Sequence, residues 1–234
     1  MKKIALIIGI TLFVSCNELQ QVVNQLPTGT PGLGNEEIGN GLREALDKGI
    51  SKQVSRLTKT DGFYKNDLVK ILLPEELRKV DKTLRDIGLD NLADEGLKVL
   101  NRAAEDAVSE ATPIFINAVK DISFNDAKGI LLGDDQAATS YLKDRTTTEL
   151  YAKFNPVIKS SIEKVGADKV WASLISRYNA IPLTTDVNAD LTDYVTQEAL
   201  EGVYTMIAVE EKEIRTKASS RTTDLLKKVF AIQD

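Results

Sequence analysis

Histidine is absent from this chain of 234 residues, and cysteine occurs once, as Cys16. Without imidazole, and with no cysteine after Cys16, the body of the chain can assemble neither a Ser-His nor a Cys-His nucleophile. For the same reason it offers no imidazole or thiolate site for zinc or copper. A lone Cys cannot close a disulfide within the chain, so stability has to come from packing even in an oxidising compartment. Gly-rich phosphate loops are missing. No uncharged apolar run approaches the roughly twenty residues that cross a bilayer as a helix.

What is present begins at the first residue. Met1, Lys2 and Lys3 form a positive start, residues 4–14 an apolar run without charge, and Phe13, Val14, Ser15 and Cys16 close it with a small residue before the thiol. This pattern resembles a bacterial lipoprotein signal. The resemblance implies that the Cys16 sulfur receives a diacylglycerol, that residues 1–15 are removed, and that the new amino group takes a fatty acyl chain such as palmitate. Plain secretion after cleavage is the alternative. One acyl chain holds a protein only marginally, whereas two or three on one residue make release negligible. Asn17 stands where some bacteria place an Asp to retain a lipoprotein at the inner membrane, so the expected location is the outer membrane, facing the periplasm.

The formal charge is minus five. Loss of Lys2 and Lys3 with the signal makes it about minus seven, a sign that repels phosphate backbones and anionic headgroups. Nucleic acid is therefore not an expected partner, and the membrane is reached through the lipid alone. Residues 16–34, polar apart from Leu19, Val22, Val23 and Leu26 and then broken by Pro27, Gly29, Pro31, Gly32 and Gly34, read as a tether. If flexible, it spans about 20 to 25 Å root-mean-square. The remaining residues, 35–234, are enough to bury about 70% of their unfolded surface in one domain.

From Asn35 onward the apolar period is helical. Ile38, Leu42, Leu46, Ile50, Val54 and Leu57 mark one face of a first helix, with Asn35, Glu36 and Glu37 at its start and Asp61, Gly62 near its end. Residues 68–73 are too apolar for a clear amphipathic helix and point to an extended stretch before Pro74, which suits the first turn of the next helix. Asp90 precedes a helix carrying Leu92, Leu97, Leu100 and Ala104, Pro113 opens another, and Ser123 with Asp126 forms a capping box. Gly133 supplies a left-handed stop. Thr146 with Glu149 suggests a further start, and Pro156 opens a helix ending near Gly166. Trp171, Leu174, Ile175 and Tyr178 line the next helix, and residues 182–189 form the longest loop. Leu191, Tyr194, Val195, Ala199, Met206 and Ile207 lie on a long helix reaching Arg215, and Leu225, Leu226, Val229 and Phe230 face inward from the last. Roughly nine helices and no strand pair predict an all-α domain. There is no fixed-period repeat.

Several blocks of residues, taken in order, resemble a known family. They are Asp61, Gly62, Phe63; Leu73, Pro74, Glu75; Asn101 to Glu105; Asp126, Ala127, Ile130, Leu131, Gly133; Ala137, Ala138, Thr139, Tyr141; and Phe154, Pro156. Asp190, Leu191, Tyr194, Val195, Ala199, Leu200 and Gly202 follow, then Glu210, Glu211, Ile214, Arg215, and finally Arg221, Leu225, Leu226, Val229, Phe230. The chain is similar through most of its length to the bacterial lipoprotein family catalogued as domain of unknown function 4197. That resemblance implies a helical, envelope-located protein and no particular activity. The family favours a proline after the long helix, where this chain has Lys217 and Ala218.

The polar cluster to follow is Asn101, Arg102 and Glu105, which the i, i+3 and i, i+4 spacings bring to one helical face beside Ala103 and Ala104. An enclosed Arg needs partners, so a buried network between helices is the favoured reading, with a ligand-facing role as the other. Asp126, Thr139 and Tyr141 are lesser candidates: Asp126 as a cap, Thr139 and Tyr141 in packing or local bonds. Asp186, Asn188 and Asp190 imitate a calcium loop, but Leu191 replaces its Gly and Gln197 its closing Glu, so no metal is expected. No cofactor is expected either. These features lead to an expectation of a lipid-anchored, non-catalytic binding or structural module. The alternatives are a carrier of a small apolar ligand between helices and a carboxylate-dependent hydrolase of cell-wall glycan.

Overall fold

The apolar spacings become helices almost everywhere they occur. The computed structural model describes residues 34–179 and 190–233, apart from 87 and 89. Among these residues there are nine α-helices and no strand: α1 (Asn35–Leu57), α2 (Glu75–Asp86), α3 (Asp90–Val108), α4 (Ala111–Lys120), α5 (Phe124–Leu131), α6 (Ala137–Lys164), α7 (Ala167–Asn179), α8 (Thr192–Thr216) and α9 (Asp224–Phe230). Short 3-10 turns follow α8 at Ala218–Ser220 and α9 at Ala231–Gln233. The expected fold class is therefore the observed one. The readings of the signal, Cys16, the tether and the loop 182–189 lie outside the described residues.

Helix α8 is the axis of the fold, packed against α1, α3 and α6. It buries side chains on more than one face, among them Val195, Ala199, Val203, Met206, Ile207 and Ile214, as expected of a helix enclosed by others. Helix α6 brings Leu142, Leu150, Phe154, Ile158 and Ile162 to the same core. Tyr204 of α8 meets Phe115 of α4 edge to face at 6.0 Å between ring centroids, and its hydroxyl lies 2.7 Å from the Thr146 hydroxyl. Helix α1 runs antiparallel to α8: Lys52 and Gln53 reach Glu210 late in α8, and the loop after α1 rests on the earlier part of α8. At 1.5 Å per residue, α1 separates its start from that loop by about 34 Å.

Two local readings are corrected. The expected breaks at Thr146 and Pro156 do not occur, and α6 runs through both for 28 residues. Thr146 is no cap: its hydroxyl donates back to Leu142 O and meets Tyr204 from a buried position. Pro156 cannot donate to the carbonyl of Ala152, but both residues are exposed, so water can serve the freed oxygen while Phe154 and Ile158 hold the helix to the core. Gly133 is not left-handed, since the positive-φ glycines among the described residues are Gly88 and Gly166. Its role is close approach, because a Cβ there would lie 2.5 Å from the Ala137 Cβ. The capping box of Ser123 and Asp126 forms as expected. The chain turns after α8 through an extended Lys217, and buried Arg221 donates to the carbonyls of Ile214 and Arg215 at the helix end.

Candidate functional site

Where α1 ends, its last carbonyls and the reversal of the chain require residues that tolerate crowding. Asp61 takes the left-handed conformation at φ 69°, a cost that Asp bears better than most non-glycine residues. At Gly62 a Cβ would lie 2.4 Å from the Leu57 carbonyl oxygen, which excludes any side chain without a backbone shift. Phe63 then enters the core, fully buried against α8, where a Cβ on Gly202 would meet its ring at 2.6 Å.

Helix α3 fastens the loop of residues 58–74 from the other side. Glu105, 4% exposed, accepts the backbone N–H of Phe63 at 3.1 Å and of Tyr64 at 3.4 Å. Arg102 bridges the Glu105 and Asp61 carboxylates through its two Nη atoms. One turn earlier, Asn101 is fully buried and treats Ile71 as a neighbouring strand would. Its Oδ1 accepts the Ile71 N–H and its Nδ2 donates to the Ile71 carbonyl, both at 2.8 Å. Ala103 and Ala104 are fully buried between these polar groups, leaving room for the loop and α6 to approach. The outer edge of Arg102 reaches a surface groove of about 260 Å³, rimmed also by Lys98, Asp106, Ser161 and Lys164.

A second buried network braces the opposite end of α8. Glu211 accepts the N–H groups of Ala138 and Thr139 at 2.9 and 2.8 Å and the Thr139 hydroxyl at 2.8 Å, satisfying free donors in the first turn of α6. Arg215 donates to Ile130 O at 2.7 Å and Leu131 O at 3.3 Å, carbonyls at the end of α5 that also accept the Gly133 N–H and the Gln233 amide. The two side chains pair at 2.8 Å. An anion thus sits at a helix start and a cation at a helix end, each on the favourable side of the dipole. Next to them, Glu210 accepts from Gln53 and Lys52 of α1.

Of the sequence candidates, the structure assembles Asn101, Arg102 and Glu105 and disperses the others. Asp126 caps α5; the Ser123 hydroxyl and backbone N–H hold its carboxyl below the ordinary aspartate range, with Arg145 adding to the effect. Thr139 bonds to Glu211 far along the chain, not locally. Tyr141 is half-buried with the Arg145 guanidinium 5.2 Å from its ring centroid, and burial raises its pKa. Glu210, Glu211 and Arg215 received no role from sequence alone. Their signal was there, as an i, i+4 Glu and Arg pair on the helix that carries Ile207 and Ile214 inward.

The model of the family described as "Protein of unknown function (DUF4197)" matches residues 32–231. The chain belongs to that family. No curated protein and no solved structure matches it. Several of the blocks on which the resemblance was read, far apart in sequence, converge on the loop just described: Asp61 to Phe63, Asn101 to Glu105, and Gly202. Tyr194 joins them by donating its hydroxyl to Leu72 O at 2.9 Å. Glu211, Arg215, Ala138 and Thr139 form the other meeting point. Both are joints where a buried charge meets backbone groups of another element.

The DUF4197 loop has a pH signature. Hydrogen bonds from Lys65, and then from Arg102, hold the Asp61 carboxyl below its ordinary value of 3.8. A folded pKa below the unfolded one means that Asp61 favours the folded state above the unfolded value. That contribution is lost as pH falls through the folded value. An NMR titration of Asp61 is expected to show a midpoint below 3.8, returning toward it in Lys65→Ala and Arg102→Ala. A midpoint at or above 3.8 in the unaltered chain would contradict the assignment.

Proposed function

We propose that this DUF4197 member is a lipid-anchored envelope protein, held through Cys16, whose helical body acts by binding and not by catalysis. The observation that carries the reading is the use made of its buried charges. Glu105, Glu210, Glu211, Arg215 and Arg221 are each spent on holding one segment to another, leaving structure as their task. The carboxyls that burial raises, Asp47 and Glu198, line none of the cavities described above. A glycan hydrolase needs one such acid in a cleft. The apolar pocket between α1, α8 and α9 has about 20 Å³ of space, room for about one water, and the larger grooves of about 280 and 400 Å³ are open and edged with charged side chains, which suits an acyl chain poorly.

The anchoring half of the reading rests on residues 1–16. Metabolic labelling with a fatty acid is expected to tag the full chain in its host, and Cys16→Ser to abolish the tag and release the protein from membranes. Label retained by Cys16→Ser would refute anchoring at this residue. A carrier, by contrast, would bring an apolar small molecule through native mass spectrometry of protein taken from its own host.

A further inference from the structure

We infer that the pole formed by residues 56–73 is a docking face for a protein partner that offers apolar side chains flanked by carboxylates. This rests on the lipid-anchor reading, and it names the face through which the body binds. Along residues 68–73 the side chains alternate. Val69, Ile71 and Leu73 are buried, while Leu68 and Leu72 face water at 63% and 51% exposure. Such exposure on a loose loop would mean little. Here the backbone is fastened at Ile71 by Asn101, at Phe63 and Tyr64 by Glu105, and at Leu72 by Tyr194. The two leucines are therefore held out by a rigid support, and each offers about 1.5–3 kcal/mol to a surface that buries it fully.

Charge and position select the occupant. Arg56, Lys59, Lys65 and Lys70 stand at this pole against Asp61 and Asp67, in a chain whose overall charge is negative. Lys65 is engaged by Asp61, while the Lys70 ammonium lies 4.6 Å from the Tyr64 ring centroid. Basic groups beside two exposed leucines and the half-buried Tyr64 suit an apolar surface edged with carboxylates. Anionic lipid shares that chemistry. The pole, however, lies at the far end of α1 from residue 35, about 34 Å away along the helix. The body as a whole is negative, so a broad anionic bilayer is repelled from it, whereas a protein can set its carboxylates against this pole alone.

The test places a photoreactive benzophenone residue at position 68 or 72 of the full chain in its host, with positions 132 and 209 as exposed apolar controls elsewhere. Irradiation is expected to give a protein adduct at 68 and 72 and not at the controls, with a crosslinked partner peptide containing apolar residues next to Asp or Glu. Lys59→Glu with Lys70→Glu is expected to lower the yield about tenfold at an unchanged melting temperature. Adducts with lipid, adducts with a second copy of the chain, equal adducts at the control positions, or none at all each overturn the proposal. Fatty-acid label read on the same cells separates the two readings. Adducts without label defeat anchoring alone, and label without adducts defeats docking alone.

Discussion

Arg215→Met is expected to lower the folding free energy by about 3–5 kcal/mol, which for a domain of this size lowers the melting temperature by about 6–20 °C. The reason is position. Arg215 and Glu211 are 4% and 6% exposed at their side chains, and removing the cation leaves a carboxylate enclosed with only donors from α6 to balance it. It also strips the carbonyls of Ile130 and Leu131 of their guanidinium, although Ile130 O keeps the Gly133 N–H at 3.2 Å and Leu131 O the Gln233 amide at 2.6 Å. Thermal and urea unfolding measure the loss directly.

The double change Glu211→Met with Arg215→Met distinguishes this network from an isolated ion pair. Replacing both partners of a buried pair with apolar side chains is often neutral or stabilising. Here it leaves the N–H groups of Ala138 and Thr139 without an acceptor, at about 1–3 kcal/mol for each buried group that water cannot reach. The double variant is therefore expected to remain well below the unaltered protein. If it melts at or above the original temperature, the brace between α5, α6 and α8 is dispensable.

Glu105→Ala is the second large effect, at about 2–4 kcal/mol. The amides of Phe63 and Tyr64 and the Arg102 guanidinium lose their shared acceptor together. The loss is local before it is global, because Asn101 still holds Ile71. Hydrogen exchange is expected to quicken first at residues 63 and 64, less at residue 71, and least in the middle of α8. Glu105→Gln keeps one acceptor oxygen and should retain part of the protection. Uniform quickening across the whole fold would show that the loop is not a separate unit. In the docking experiment, Glu105→Ala is also expected to reduce adducts at 68 and 72, since the support behind the leucines is weakened.

Much of the architecture was legible one segment at a time. The apolar faces of residues 38–57 and 191–207, the cap made by Ser123 and Asp126, and the non-helical run from Lys70 to Pro74 follow from forces acting within a few residues, whereas at 68 and 69, expected to be extended, the chain turns and closes on the Asn66 carbonyl. The triad of Asn101, Arg102 and Glu105 was legible as a cluster for the same reason, since one helix carries all three. Its partners were not. Asp61, Phe63 and Ile71 lie 41, 42 and 30 residues from the atoms that bind them, and no local rule selects them. Glu211 and Arg215 were harder still, because their targets are backbone groups, which every residue possesses.

Composition and pattern alone therefore determined that this chain folds as helices and that its body cannot use imidazole or thiol chemistry. Those are consequences of residue types and short spacings. The three-dimensional arrangement decided that α6 continues through Pro156, that Asp61 adopts a left-handed turn, and that five buried charges fasten the joints while Leu68 and Leu72 stay in water. Each of these outcomes depends on energy exchanged between segments remote in sequence, where packing outweighs the preference of any single residue.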